Sequence, residues 1–594
     1  VAEAGAAPFL GVERSLTGRR WRARAVDDEL SAYFRRHYAL PDIAARLLAG
    51  RGVTREAVGD FLDPKLRALF PDPLSFADMG VAADVIEDAI VTGKPTAVLA
   101  DYDVDGGTSA ALLVKYFRAR GRALRIYVPD RMTEGYGPSA IAFQRLKEEG
   151  CELVITVDCG AGAHGPLEEA HRLGLDVVVI DHHLMSGPPP IARAVVNPNR
   201  PDCGSGQGHL TAAGVVLVAL AAINRAARKR GSIGANSLPD LLAWLDLAAL
   251  GTVCDVAPLT GFNRAIVAQG LKVLARKETV GVAALAACAK RATLGSVYDL
   301  GFVLGPRLNA GGRVGDSSLA ARLLSTEDPE EARVIAEELE ILNADRRAKE
   351  AAMLLDAEGE ALTSTGAVVV VGRPSWHPGV IGIAAGRLKE RTGKPTIVLG
   401  GGGEGEPAKG SGRSVTGVNL GRAVAAAARE GIARIGGGHA MAAGLTLDWE
   451  QLDAFRTFMD AALAPEIAAA ADAGRDLLID ATAGISAISL DLMRAIERIG
   501  PYGQGHPDPV FALAEVRASY SAEVRGGHVR CVLEDAQGRK LKVIAFRASN
   551  SPVGDALMAR DRVMHAAVKL KQDSYGGQER VEAELVDAAL AGAG

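Results

Sequence analysis

Between residues 96 and 196 short apolar runs alternate with longer amphipathic ones, and this alternation restricts the fold more than any other feature of the chain. The runs are Thr96-Ala-Val-Leu-Ala100, Leu124-Arg-Ile-Tyr-Val128, Leu153-Val-Ile-Thr-Val157, Val177-Val-Val-Ile180 and Ala194-Val-Val196. They are rich in β-branched residues and lack polar alternation, as strands buried on both faces do. The stretches between them, such as Ser109 to Arg120 and Pro138 to Glu149, carry helical periodicity. The alternation therefore predicts an α/β fold with a parallel sheet covered by helices.

Acidic residues sit where these runs stop. Asp101 follows the first run, Asp130 ends the second after Pro129, Asp158 follows the third and Asp181 the fourth. Open parallel sheets bind ligands beyond the carboxyl ends of their strands. Carboxylates gathered there repel one another unless a cation neutralises them. Hard divalent ions such as Mg²⁺ and Mn²⁺ suit carboxylates, water and some imidazole, so this edge is a candidate metal site.

The first acidic group is Asp101-Tyr-Asp103-Val-Asp105-Gly106-Gly107. In extended chain, Asp103 and Asp105 face one side and can share a cation. The glycines then allow a turn into a helix at Thr108, whose first amides suit a phosphate. A calcium loop of the EF-hand type is excluded, because the twelfth position is Leu112 and a strand precedes the motif. Read alone, the segment also fits a structural Asp-rich turn. The second group, Asp181-His182-His183, lets one imidazole ligate while its neighbour does something else. A core or surface role is the other reading of that pair. Asp255, in Gly251-Thr-Val-Cys-Asp-Val-Ala-Pro258, reads by itself as an ordinary loop acid. No histidine comes with zinc-type cysteine spacing, which favours Mn²⁺ or Mg²⁺.

Taken together these segments resemble the DHH phosphoesterases, and within them the RecJ family of single-strand-specific exonucleases. The likeness runs from about residue 20 to the end. It is carried by D-Y-D-V-D-G at 101–106, V-D-C-G at 157–160, D-H-H at 181–183 and G-T-V-C-D-V-A-P-L at 251–259. N-P-N at 197–199, N-R at 263–264 and G-P-R-L-N-A-G-G-R at 305–313 add to it. Further along come W-H-P-G-V-I-G-I at 376–383, S-G-R-S at 411–414, G-G-G-H-A-M-A-A-G at 436–444 and P-Y-G-Q-G-H-P-D-P-V-F at 501–511. Departures are Cys254 in place of a small apolar residue, Ala161-Gly-Ala-His164 after the second motif, and the stretch 203–209.

The resemblance implies a two-metal Mn²⁺ or Mg²⁺ site held by Asp103, Asp105, Asp158, His182 and Asp255. Asp101, Asp181 and His183 would serve the catalysis around it. It implies that Arg307, Asn309 and Arg313 contact the substrate backbone. Ser411, Arg413 and His439 would hold the 5′ end of the strand, and His377, Gly437 and Gly438 would also bind substrate. It further implies 5′→3′ hydrolysis of single-stranded DNA to 5′-mononucleotides in repair and recombination, beside a single-strand-binding protein and a RecQ-type helicase, by a monomer. A small-nucleotide phosphatase of the same superfamily and a non-catalytic replication scaffold are the rival readings. The first usually lacks flanking segments like those here, and the second usually has eroded motifs.

Length gives the domain plan. A chain of 594 residues suggests three or four domains. The expected parts are a helical segment at 1–90, the DHH domain at 91–265, a helical connector at 266–365, a second α/β DHH-associated domain at 366–468, and an OB-fold β-barrel at 469–594. Pro329 to Leu362 has almost no helix breakers and reads as one long connecting helix. Gly400 to Gly412 reads as a Gly-rich loop, and the glycines before His439 as a phosphate-cradling one. Asp535-Ala-Gln-Gly538 is a hairpin turn within the β-rich end.

Composition excludes little. A net charge of −5 gives no sign of a nucleic-acid partner, but a local basic channel suffices for one. Arg14, Arg19, Arg20, Arg22 and Arg24 around Trp21 form one cationic stretch, read first as a packing or solvated face. The six cysteines form no C-x-x-C, so a disulfide framework is not expected and a reducing cytoplasm is. No apolar run approaches the roughly 18 residues that span a bilayer, and the opening residues lack a signal-peptide pattern.

Overall fold

A computed structural model describes residues 7–234, 237–403, 405–470, 476–560, 562–573 and 579–592. The chain forms two compact units. One comprises Pro64–Ala470 with 503–505, and the other gathers the described residues before 64 with 476–502 and those from 506 on. The expected helical segment at 1–90 is thus not one body. It divides at Asp63, and it contains a strand, β1 (Arg20–Ala23), which belongs to the smaller unit. The expected boundaries at 90, 265 and 468 all fall inside helices, Met79–Thr92, Gly261–Leu274 and Leu452–Ala470. Periodicity locates elements well but says little about which of them share a core.

The larger unit holds two sheets. Strands β2 (Thr96–Ala100), β3 (Arg125–Tyr127), β4 (Leu153–Val157), β5 (Asp176–Ile180) and β6 (Ala194–Val196) form a fully parallel sheet in the order β3-β2-β4-β5-β6. Strands β2, β4 and β6 are buried along their whole length, in keeping with their uninterrupted apolar sequences. Chain order reverses between β2 and β4, so their carboxyl ends open the crevice where such sheets bind ligands. Helix α1 (Val104–Ala119) returns from β2. It packs with α2 (Ala212–Arg230) and α3 (Leu245–Cys254) in one large apolar core. Ala, Val and Leu fill α2 through Ile223, which explains why its first three turns are buried on all sides.

Helix α4 (Gly305–Val314) and the 35-residue α5 (Pro329–Thr363) follow, the latter capped by Asp328, whose carboxylate accepts the Glu330 N–H at 2.8 Å. The second sheet consists of β7 (Val369–Gly372), β8 (Thr396–Gly400), β9 (Ala408–Arg413), β10 (Ile435–Gly438) and β11 (Ala442–Leu447), in the order β10-β11-β9-β8-β7. Helix α6 (Ile381–Thr392) crosses from β7 to β8. Two expected loops are corrected here. Residues 408–412 are the antiparallel strand β9, not part of a Gly-rich loop, and Gly436–Gly438 lie in the edge strand β10. Glycine is a poor strand former, but pairing across the ladder with Gly444 holds Gly437 in the strand, while Gly438, opposite Ala443, takes φ 143, where a Cβ would strike the Ala442 carbonyl.

In the smaller unit β1 pairs in parallel with β12 (Asp476–Ile479), and β13 (Ala481–Thr482) leads into a barrel. The barrel strands are β14 (Phe511–Val524), β15 (His528–Glu534), β16 (Lys540–Ala545), β17 (Met564–Asp573) and β18 (Arg580–Leu590). The order β14-β15-β16-β18-β17 closes through β14–β17 pairing. The arginines beside Trp21 are packing residues. Arg20 and Arg22 pair with Asp476 at 2.7 and 2.9 Å, and Arg24 and Arg51 pair with Asp480 at 2.9 and 2.8 Å. Among the described residues no helix is long and apolar enough to cross a membrane.

Candidate active site

Asp101 leaves β2 buried, and the chain turns at once into α1. The helix starts at Val104 rather than at Thr108, so Asp103 is extended but Asp105 already lies in the first helical turn, and the two do not share one extended run. Asp103 is the N-cap, and its Oδ1 accepts the N–H groups of Asp105 at 2.9 Å and Gly106 at 3.1 Å. Gly106 is required because a Cβ there would collide with the Asp101 carbonyl. Asp105 points the other way. Its carboxylate accepts the Ala212 and Ala213 N–H groups, at 2.7 and 3.0 Å, at the start of α2. Gly251 of α3 lies against it, and any side chain there would strike Asp105 Oδ1. The two acids of the first motif therefore face two places, not one.

The other ends close the ring. Asp158 follows β4 with φ 60, a left-handed conformation that a non-glycine residue adopts at a cost. His182 Nε2 is 3.1 Å from Asp158 Oδ1 and 3.9 Å from carboxylate oxygens of Asp105 and Asp255. Val256, directly after Asp255, also has a left-handed backbone (φ 58), a severe outlier for a β-branched residue. Three sets of ligand atoms converge within 4.8 Å: Asp101, Asp103 and Asp158; Asp105, His182 and Asp255; and Asp158, His182 and His183. The first two sets share no residue, and Asp158 stands between them.

Electrostatics says what this arrangement lacks. Burial, then the charge of Asp103, holds the Asp101 pKa well above the carboxylate range. Burial followed by Asp103, Asp105 and Asp101 does the same to Asp158. The Asp255 side chain is 33% exposed, yet desolvation and the charges of Asp105 and Asp103 push its pKa up to about 8. Asp101 Oδ1 is buried with no hydrogen-bond partner among the described residues. A buried acceptor without a partner inside a carboxylate cluster calls for a cation, and the oxygen and imidazole donors fit Mn²⁺ or Mg²⁺.

Asp181 is outside these sets. Its Oδ2 accepts the Ala161 N–H at 2.9 Å, and its Oδ1 accepts the His182 N–H and His183 Nδ1, both at 2.7 Å. Burial opposes its ionisation, but these bonds outweigh burial and hold its pKa low. Burial likewise works against a charged His183, yet the bond to Asp181 and the surrounding acids push its pKa up to about 9. Asp181 thus holds the His183 ring in place through Nδ1. The N-P-N motif braces the same loop, since Asn197 Nδ2 donates to the His183 carbonyl at 2.9 Å and Asn199 Nδ2 to that of His182 at 2.6 Å. Asp130 is not in the cluster. Its carboxylate caps its own turn, accepting the Met132 and Thr133 N–H groups.

A second, cationic group lies nearby in the same unit. Burial, then the charges of Arg131 and Arg346, lowers the Arg313 pKa to about 10, while Asp103 opposes the shift and Arg413 adds to it. Burial and Arg131 lower that of Arg413. Among the described residues none of Arg131, Arg313 and Arg413 has a carboxylate within ion-pair distance, so the group calls for an anion. Arg413 Nη1 donates to Ser411 Oγ at 3.1 Å, beside Gly382 in the first turn of α6. His377 Nδ1 accepts the Gly379 N–H at 3.0 Å and shapes the entry to that helix. First-turn amides attract anions. His439 is exposed on the turn between β10 and β11, where Ser414 N–H meets the Met441 carbonyl next to Arg413. Asn309 and Arg313 line one cavity. Arg307 does not join them, because it is tied to Glu340 of α5 and to the Val303 carbonyl. Sequence reasoning missed Arg131 and Tyr136. The Arg131 guanidinium lies over the Tyr102 ring, and the Tyr136 hydroxyl is 3.2 Å from His183 Nε2. Nothing local in the sequence marks either.

Three family models cover most of the chain: the DHH family N-terminal domain at 95–252, the DHHA1 domain at 364–464 and the RecJ OB domain at 479–587. The single-stranded-DNA-specific exonuclease RecJ of Dickeya dadantii is 35% identical over 559 residues, spanning 92% of this chain and 95% of that protein. The chain belongs to the RecJ family. RecJ of Bacillus subtilis is 34% identical over 82% of this chain and 61% of its own length. Among solved structures, RecJ of Thermus thermophilus in complex with Mn²⁺ superposes with a TM-score of 0.78 at 29% identity, covering 96% of this chain and 79% of that one. Its Mg²⁺ complex gives 0.73 at 28% identity. The RecJ relatives thus bind the two ions that the carboxylate cluster fits, and the closed C-terminal barrel is the family's OB domain.

Proposed function

We propose that this RecJ-family chain is a metal-dependent exonuclease that removes 5′-mononucleotides from the 5′ end of single-stranded DNA. The observation that carries the reading is the presence, in one unit, of a carboxylate cluster around Asp158 and an arginine group with no carboxylate at ion-pair distance among the described residues. A 5′-phosphate suits the second and the next phosphodiester the first.

Asp101, Asp103, Asp105, Asp158, His182 and Asp255 would hold the ions. A bound Mn²⁺ or Mg²⁺ pair supplies charge neutralisation at phosphorus and lowers the pKa of water. Ser411, Arg413 and the first turn of α6 grip the terminal phosphate, with His439 at the edge of that grip and Gly437 and Gly438 setting its turn. Arg313 and Asn309 steady the backbone. Water would add to phosphorus and give up a proton to solvent, the bond to the 3′ oxygen would break, and the departing oxygen would take a proton delivered through His183, which Asp181 holds in place. Fixing the terminal phosphate sets direction, because only one end of the strand carries it there. The OB barrel would feed single strands through a groove and stacking surface. Family resemblance supports work beside a single-strand-binding protein and a RecQ-type helicase, as a monomer in the cytoplasm. All six cysteines are free, as a reducing compartment allows.

The test is digestion of one oligonucleotide labelled in turn at each end, with Mn²⁺ and with Mg²⁺, beside a matched duplex and Asp158→Ala. The expected result is mononucleotide release from the 5′ end of the single strand only, and none from the variant. Release from the 3′ end would overturn the terminal-phosphate grip, and activity in the variant would overturn the metal cluster.

A further inference from the structure

A cavity of about 470 Å³ opens beside the carboxylate cluster, in the size range of pockets that take small organic ligands (~300–1,000 Å³). Its apolar walls include Val253, Cys254, Val256 and Phe302, and its polar ones Asn309 and Arg313. Val253, Cys254 and Val256 flank Asp255 in the chain, so the cavity adjoins a metal-ligand set. Phe302 is 69% exposed and Tyr298 57% exposed. Leaving two large rings in water costs burial free energy. The two rings stack on each other with centroids 5.2 Å apart and planes 19° from parallel. Phe302 stands on a π-type turn, Asp299–Leu304, which Tyr298 immediately precedes, and such a distortion often marks functional sites.

We propose that Phe302, backed by Tyr298, is a stacking platform for one nucleobase of the bound strand, next to the scissile phosphate on its 3′ side. The inference rests on the exonuclease reading and adds a base subsite to it. Three observations choose a nucleotide over an apolar side chain of a partner protein. The ring faces are flat and open to solvent. Asn309 and the partly desolvated Arg313, which has no carboxylate partner among the described residues, share the cavity and suit the phosphate attached to that base. The cavity also abuts the residues that would act on the next phosphodiester. Base stacking on an aromatic face is tolerant of sequence, as a nuclease that must pass every base requires.

The experiment uses the full chain and a set of single-stranded oligonucleotides, each with one 2-aminopurine at a different distance from the 5′ end. Binding is read by fluorescence in chelator, where no cleavage occurs. Digestion is then read in Mn²⁺. Wild type should quench one position strongly, Phe302→Ala should lose that quench, and Phe302→Trp should restore it. In digestion, Phe302→Ala should lower kcat/KM about 5- to 150-fold, the usual effect of losing one stacked base. An abasic residue at the quenched position should slow wild type but not Phe302→Ala. A wild type that degrades single strands while Phe302→Ala matches it in quench and rate would overturn the platform and leave the exonuclease reading standing. That result would favour a protein partner for the rings. A wild type that neither binds nor degrades single strands would overturn both.

Discussion

Two groups of arginines in this chain look alike in chemistry and differ in company. The group near the start is dense in sequence, and its members meet carboxylates: Arg20 and Arg22 share Asp476, and Arg24 shares Asp480 with Arg51. The other group is scattered from Arg131 to Arg413, and among the described residues its members meet the Tyr102 ring, backbone carbonyls and Ser411 but no carboxylate. Folding satisfies the first within the protein and leaves the second dependent on an anion from outside. Charge density along the chain is therefore a poor guide to a phosphate site, and unpaired charge in space is a better one.

The largest effect should come from the scattered group. Arg413→Ala should lower kcat/KM on single-stranded DNA by about 10- to 150-fold, the value of a charge-assisted hydrogen bond to phosphate (about 1.5–3 kcal/mol). Its unfolding temperature should be that of wild type or slightly higher, since a repelling cation has gone. Steady-state kinetics and thermal unfolding on the same preparation check both halves. A stability loss with intact kinetics would reverse the two groups' roles.

Asp480→Ala should do the opposite. Asp480 is 2% exposed and Arg51 5%, so the substitution strands a buried guanidinium and should destabilise the smaller unit by about 3 kcal/mol. Activity per folded molecule should be unchanged. Denaturant titration followed by activity below the transition decides this. A loss of kcat/KM in the folded protein would give the dense group a functional role after all.

The smallest effect concerns pH. The hydrogen bond from Arg20 is the main cause that holds the Asp476 pKa below its ordinary 3.8. A carboxylate whose folded pKa is depressed contributes stability that is present above about 3.8 and is lost as pH falls through the lower folded value. Asp476→Asn should therefore unfold earlier than wild type at pH 6, with the difference shrinking below pH 4. A constant difference across that range would show that the pair's charge does not matter.

Much of this was legible in the residues. Strands β2, β4, β5 and β6 stand within a residue of their apolar runs, because burial on both faces leaves a signal that needs no tertiary knowledge. Asp101, Asp158 and Asp255 were found because strand ends and the family motifs mark them. The first motif's geometry was not legible. Capping by Asp103 starts α1 early and turns Asp105 toward α2, a choice made by hydrogen bonds to Ala212 and Ala213 more than a hundred residues away. Glycines misled twice, because β9 and β10 take their extended shape from ladder partners and not from propensity. The pairing of Arg307 with Glu340 on α5 was not legible for a related reason, as no local pattern announces it.

The account stands on the carboxylates of β2, β4 and their neighbours being a divalent-metal centre. The most direct measurement is a crystal structure of the full chain grown with Mn²⁺, with anomalous scattering used to place the ions. The expected result is manganese between Asp101, Asp103 and Asp158 and between Asp105, His182 and Asp255, with loss of the first peak in Asp158→Ala. Manganese absent from these residues, or bound only elsewhere in a protein that still degrades single strands, would contradict it.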